Sequence, residues 1–213
     1  PGPFTVFAPT NDAFAALLAE LGVTKDQLLA DKALLTAVLT YHVLPDKVLR
    51  AGVPAGQAIT TVQGSIFKIG ASGSDLVVTD GRNRTAKITA TDLEASTGVI
   101  HVSDRVLLPA DKTVVETAQS LPDFSILVEA VLAANLQGTL SSTGPFTVFA
   151  PTNDAFAALL TELGVSKDEL IADVPLLTRV LTYHVVSGRV LKAGVPVGPA
   201  IATVEGGTFT VDN

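Results

Sequence analysis

The residues of this chain with the widest chemical range are three histidines, two tyrosines and scattered carboxylates. His101 precedes Ser103 and Asp104, the residue types of a hydrolytic triad. The spacing works against that chemistry, because on a strand His101 and Ser103 share a face while Asp104 points away. No two histidines stand at helical metal-binding spacing, and no acidic run reads as a calcium loop. The glycines at 70 and 73 bracket a turn rather than a phosphate cradle. With no cysteine, thiol catalysis, disulfides, iron–sulfur clusters and thiolate zinc sites are excluded. The chain therefore reads as a non-enzyme that uses no cofactor. Tyr41-His42 recurs as Tyr183-His184. Its position after a helix predicts a half-buried tyrosine with a satisfied hydroxyl and a histidine bonded to a backbone carbonyl. Asp92-Leu93 reads as a strand-end turn.

The elements that position these residues come as a repeat. Gly2–Leu18 returns unchanged as Gly144–Leu160, an offset of about 142 residues that holds through the rest of the overlap. Roughly two positions in three are identical across it. The period is far longer than a solenoid unit of about 20–50 residues, so each copy is expected to be a domain. Within a copy, Phe4–Phe7 predicts a buried strand and Pro9 its end. Thr10 and Asn11 can cap the helix that follows, with Asp12 in its first turn. Thr24 with Gln27, and Ser166 with Glu169, have capping-box spacing. Short helices are predicted over 25–30 and 32–40. Residues 48–108 read as β-rich, closed by strands at 99–102 and 106–108. Asp80-Gly81 is a hairpin signal, and 112–136 is helical, restarted at Pro122.

Net charge is −7 and the pI about 4.8, which argues against nucleic acid and anionic membrane surfaces. The hydrophobic share is 47% and mean hydropathy +0.46, yet no apolar run approaches the roughly 18 residues that span a bilayer. No membrane insertion is expected in this segment. No targeting signal is visible, and the sequence reads as a window on something longer. Asn83-Arg84-Thr85 forms a glycosylation sequon beside a turn.

Residues 5–14, TVFAPTNDAF, resemble the first signature of fasciclin-type domains. Tyr41-His42 stands where that family carries a tyrosine–histidine motif, and residues 98–109, GVIHVSDRVLLP, resemble its second signature. Thr97 and Ser103 depart from the pattern, which usually has Asn and an apolar residue there. The resemblance implies an α+β fold, a wedge-shaped β-sandwich with helices packed along one side. In that frame residues 1–109 form a domain lacking its first helices, and 110–213 one lacking its last strands. It also implies an extracellular, secreted or cell-surface module for adhesion. The expected partners are other copies of itself or matrix and cell-surface proteins, in a tandem or head-to-tail filamentous assembly. By the same resemblance Tyr41, His42, Asp92, Leu93, Tyr183 and His184 are candidate binding residues. The alternative is a cell-surface module that binds a glycan or an apolar ligand.

Overall fold

The computed structural model describes residues 2–73, 75–142 and 144–212, with the side chain of Ala193 excepted. It divides into two compact units, Pro1–Asp111 and Lys112–Asn213. The first unit runs β1 (Phe4–Pro9), α1 (Asn11–Leu21), α2 (Lys25–Ala30), α3 (Lys32–Tyr41), β2 (Val43–Leu44), β3 (Ala58–Thr60), β4 (Ile66–Ser72), β5 (Asp75–Thr79), β6 (Thr85–Ala95) and β7 (Gly98–Ser103). Local chemistry sets the helix ends. The Thr10 hydroxyl accepts from Ala13 N, Thr24 and Gln27 close a reciprocal capping box, and Gly22 ends α1 in the left-handed region at φ 66°.

The seven strands are ordered β2-β1-β7-β6-β5-β4-β3. The β1–β7 pair is parallel and the rest are antiparallel. In a flat sheet β1 and β4 would lie about 19 Å apart, at roughly 4.8 Å per strand. Their Phe7 and Phe67 rings nevertheless meet edge to face with centroids 5.1 Å apart. The sheet is thus folded over on itself. The fold line is β6, whose first residues pair with β5 and whose remainder pairs with β7. Two register shifts, at Ile88/Ala90 and Ala90/Leu93, supply the bend that lets one strand serve both layers. Phe7, Phe67, Ile69, Val78 and Ile88 fill the space between. Gly98 lets β7 come in beside β1, since a Cβ there would collide with the carbonyl oxygen of Phe4.

A second cluster lies on the helical side. Val106 and Leu108 pack with Ala13, Leu17, Leu28 and Val38 from α1 to α3.

The second unit runs α4 (Val114–Gln119), α5 (Ser125–Ala133), α6 (Gln137–Leu140), β8 (Phe146–Val148), α7 (Asn153–Leu163), α8 (Lys167–Ala172), α9 (Val174–Tyr183), β9 (Val185–Ser187), β10 (Ile201–Ala202) and β11 (Thr208–Phe209). Ser166 and Glu169 form their capping box, and Pro122 opens a 3-10 turn ahead of α5. The region 112–136 is broken rather than continuous. Pro122 has no N–H to carry α4 onward, so α4 ends and α5 starts afresh. Val115, Leu127, Val131, Phe156, Leu177 and Leu181 make the core of this unit.

Candidate binding site

His42 caps the C-terminal end of α3, and the last helical turn brings its Nδ1 to 2.7 Å from the Val38 carbonyl. Leu107 N–H donates to the other nitrogen, Nε2, at 2.9 Å. An acceptor at Nε2 fixes the tautomer, so Nδ1 carries the proton and donates to Val38. Burial is the largest influence on this imidazole and pushes it below its ordinary 6.5, against smaller opposing effects of the Val38 bond and the Asp80 charge. Tyr41 is 0% exposed rather than half-buried, and its hydroxyl donates to Ile66 O at 2.6 Å. Its ring sits edge-on to Phe67.

The segment that His42 receives is the chief departure from the sequence reading. Val106–Leu108 was expected to be a strand, and it joins no ladder. Val106 and Leu107 are nonetheless 0% exposed and Leu108 is 1%. Buried backbone must be paired, and here side chains do most of the pairing. Leu107 N goes to His42, Leu108 N to Asp80 Oδ2 at 3.0 Å, and Val106 O accepts from Arg84 Nη2 at 2.9 Å. Leu108 O accepts from Gly81 N. Asp80 is the hub, because its buried carboxylate also accepts from Arg82 N, Arg84 N, and Arg84 Nε and Nη2. Glu20 on α1 holds the guanidinium from the other side at 2.7 Å. Sequence reasoning gave Asp80 only a turn role and gave Arg84 none. The signal it lacked is a distance in chain, since Asp80 meets Leu108 across 28 residues.

Asp92 and Leu93 lie on the surface, on the β6 bulge, with Leu93 48% exposed. Asp92 adopts φ 61°, a left-handed conformation that aspartate tolerates. Its Oδ1 accepts from Arg50 N at 2.8 Å, and its own N–H donates to His101 Nδ1 at 3.3 Å. His101 Nε2 then donates to Val48 O at 2.8 Å. Thr5 completes the fastening of this loop, donating to Asp46 O and accepting from Val48 N. Thr147 repeats the device with Gly188 O and Val190 N. The residues once considered for a triad are each committed to backbone. Buried Ser103 donates to Arg105 O, and Asp104 accepts from Lys87 N. The structure therefore brings Asp92 to buried His101, whereas Tyr41 and His42 bond Ile66, Val38 and Leu107.

The second copy of the tyrosine–histidine pair has a different environment. Tyr183 OH donates to Thr208 O and His184 Nδ1 meets Val180 O at 2.7 Å, as in the first copy. Phe149 and Phe209 reproduce the edge-to-face pair at 5.0 Å. Yet Tyr183 is 37% exposed and His184 only half-buried. Both border an open apolar cleft of about 550 Å³, together with Ala155, Leu159, Leu176 and Val180. A second apolar cavity of about 280 Å³ lies between α4, α5 and the β8–β9 pair, lined by Val115, Leu127, Val148 and Val185. Among the described residues no group of His, Asp and Glu is placed to hold a metal ion. No helix among them is long and apolar enough to cross a membrane.

The Fasciclin domain family model matches residues 1–109 and 122–213. Transforming growth factor-beta-induced protein ig-h3 of Oryctolagus cuniculus is 30% identical over 213 residues, covering 99% of this chain and 30% of that protein. Protein sll1483 of Synechocystis is 44% identical over 111 residues, which is 51% of this chain and 56% of that protein. Among solved structures, a FAS1 domain pair from the insect cell adhesion molecule Fasciclin I aligns with 99% of this chain and 76% of its own, at 19% identity and a TM-score of 0.44. The chain thus spans less than a third of the length of the ig-h3 relative.

Proposed function

Because this chain belongs to the Fasciclin domain family, we propose that it is an extracellular adhesion and structural module that works through protein–protein contacts. The resemblance to fasciclin-type domains implies extracellular adhesion, which is the source of this reading. The observation that carries it to particular residues is the presentation of Asp92 and Leu93. A carboxylate and a large apolar side chain stand side by side on a surface bulge, and the backbone beneath them is fastened by Arg50 N, His101 and Thr5. A fixed, exposed carboxylate beside an apolar anchor suits a receptor or matrix partner, and preorganisation lowers the entropy cost of binding. Arrangement in a tandem or head-to-tail array, with fasciclin-like units at 1–109 and 110–213, belongs to the same proposal. The apolar cavity of about 280 Å³ favours a small apolar ligand over a glycan as the second reading, because its lining holds few polar groups to orient sugar hydroxyls.

Asp92→Ala is the test. It removes the acceptor of Arg50 N and places alanine at positive φ, so it is expected to cost about 1 kcal/mol of stability. Attachment of cells or matrix proteins to plates coated equally with parent and variant is expected to fall several-fold while the variant remains folded by circular dichroism. Equal attachment would remove Asp92 from the contact surface.

A further inference from the structure

Across its second register shift β6 carries one residue more than β7, and a single imidazole takes up the difference. Ala90 pairs with Val102 and Leu93 with Ile100, so Thr91 and Asp92 stand opposite the one residue His101. A bulge of this kind takes a backbone amide out of the ladder. The Asp92 N–H finds its acceptor in the ring, at His101 Nδ1 and 3.3 Å. From Nε2 the same ring donates to Val48 O at 2.8 Å. An acceptor at Nδ1 and a donor at Nε2 define the neutral Nε2–H tautomer, and His101 is buried. Asp92 Oδ1 closes the circuit by accepting from Arg50 N at 2.8 Å, two residues past Val48. Three hydrogen bonds thus join the bulge, the ring and the loop at 46–50. The loop has a fastening of its own, because Thr5 accepts from Val48 N and donates to Asp46 O.

The elements around the ring bring few charges. β6 carries Asp92 and Glu94, and the loop carries Asp46, Lys47 and Arg50. Lys47 and Glu94 pair with each other at 2.9 Å. Lys87 and Asp104, at the far end of the β6–β7 pair, are engaged with Asp75 and with Lys87 N. β1, β2 and β7 carry no charged residue, and β1 sets Phe7 against the ring at 5.3 Å. In the other layer β4 turns Phe67 and Ile69 inward and Lys68 outward.

We propose that His101 is the positioning residue of the Asp92 contact, and that protonation of its ring withdraws that contact. The proposal rests on the reading of Asp92 as a binding residue and adds its regulation. A second proton goes to Nδ1, the unprotonated nitrogen of this tautomer, and turns it from acceptor into donor. Nδ1–H then faces the Asp92 N–H, donor against donor. Nε2 keeps its bond to Val48 O and Thr5 keeps its hold on the loop, so the loop stays while the bulge gives way. The Asp92 carboxylate is drawn to the new N–H, and turning to it means leaving Arg50 N. The fixed carboxylate is therefore a property of the neutral ring.

NMR of the intact, nitrogen-15-labelled chain tests this between about pH 7.5 and about pH 5, the span in which histidine ordinarily changes charge. At the upper end the His101 nitrogens are expected to report the Nε2–H tautomer. As the ring gains its second proton, exchange protection at the Asp92 and Arg50 amides, corrected for intrinsic rates, is expected to fall about tenfold. Val48 N, held by Thr5, should keep its protection. His101→Gln supplies one acceptor and one donor that do not titrate, so the fall at Asp92 and Arg50 should vanish there. His42 is intact in both chains, and its own titration is common to them. In the plate assay the parent should attach several-fold less at about pH 5.5 than at about pH 7.5, and His101→Gln equally at the two. An Nδ1–H tautomer, a ring that stays neutral throughout, protection at Asp92 that does not follow the ring, or the same fall in a folded His101→Gln chain would each overturn the proposal. The tautomer and the linked fall are read in the parent alone, so a variant that fails to fold leaves the test intact. The amide signals need no partner, and Asp92→Ala at neutral pH tests the contact itself, so the two readings fail separately.

Discussion

Asp80→Ala is expected to unfold the first unit more readily than any other single polar substitution, by about 3–5 kcal/mol. The wild-type carboxylate is 1% exposed and accepts from Arg82 N, Arg84 N, two guanidinium nitrogens and Leu108 N. Alanine removes every one of these acceptors while the donors stay in place. Arg84 is itself only 14% exposed, so its charge is left in a poorly solvated site with Glu20 as its remaining carboxylate partner. Loss of one partner of a buried pair costs far more than the pair contributes, because the other charge is stranded. The closing segment also loses its anchors at once, since Leu108 N and, through Arg84, Val106 O depend on Asp80. Asp80→Asn keeps one acceptor oxygen but also strands the Arg84 charge and turns an NH2 toward N–H donors, so it should cost a similar amount. Urea unfolding followed by circular dichroism measures both. A midpoint unmoved by Asp80→Ala would mean that the closing segment is held by its apolar contacts alone.

His42→Ala is expected to cost about 2–3 kcal/mol, from an unpaired Leu107 N–H and a cavity beneath the segment. The matching change His184→Ala should cost under about 1 kcal/mol, because its Nε2 side already faces an open cleft. One substitution made in both copies thus weighs the closing segment itself. A pH signature accompanies it. The folded state holds His42 below its ordinary 6.5, so the unfolded chain binds the extra proton first. Stability from this residue is complete above about pH 6.5 and declines as the pH falls through the lowered folded value. A protonated ring would also lose its acceptor for Leu107. Parent and His42→Ala should therefore converge in stability as the pH is taken from 7.5 toward 5. Parallel curves would show that His42 keeps its charge state.

The features legible in the sequence are those whose causes are local. Thr10, Thr24, Ser166 and Gly22 act within a turn of the helices they end, and they appear in the structure as capping residues. The repeat was legible because two copies stand in one chain. Val106–Leu108 shows where local reading fails. Three apolar residues in a row predict burial correctly, but a buried strand and a buried irregular segment have the same composition. The difference lies in what receives the backbone, and His42 is 65 residues away. Asp80 is the same case from the other side. Asp-Gly does turn the chain, with Asp80 N bonded to Arg84 O, and no local signal says that its carboxylate is buried under a later segment. Tyr41 was read as half-buried from its hydroxyl, and the Ile66 carbonyl satisfies that hydroxyl inside the core.

The central claim is that His42 and the Asp80–Arg84 pair hold the buried segment 106–108 by its backbone. Residue-resolved hydrogen exchange of the parent chain and of His42→Ala tests it most directly. Slow exchange is expected at Leu107 and Leu108 in the parent, and a loss of about tenfold or more in protection at Leu107 in His42→Ala. Fast exchange at Leu107 in the parent, or unchanged protection there in His42→Ala, would contradict it.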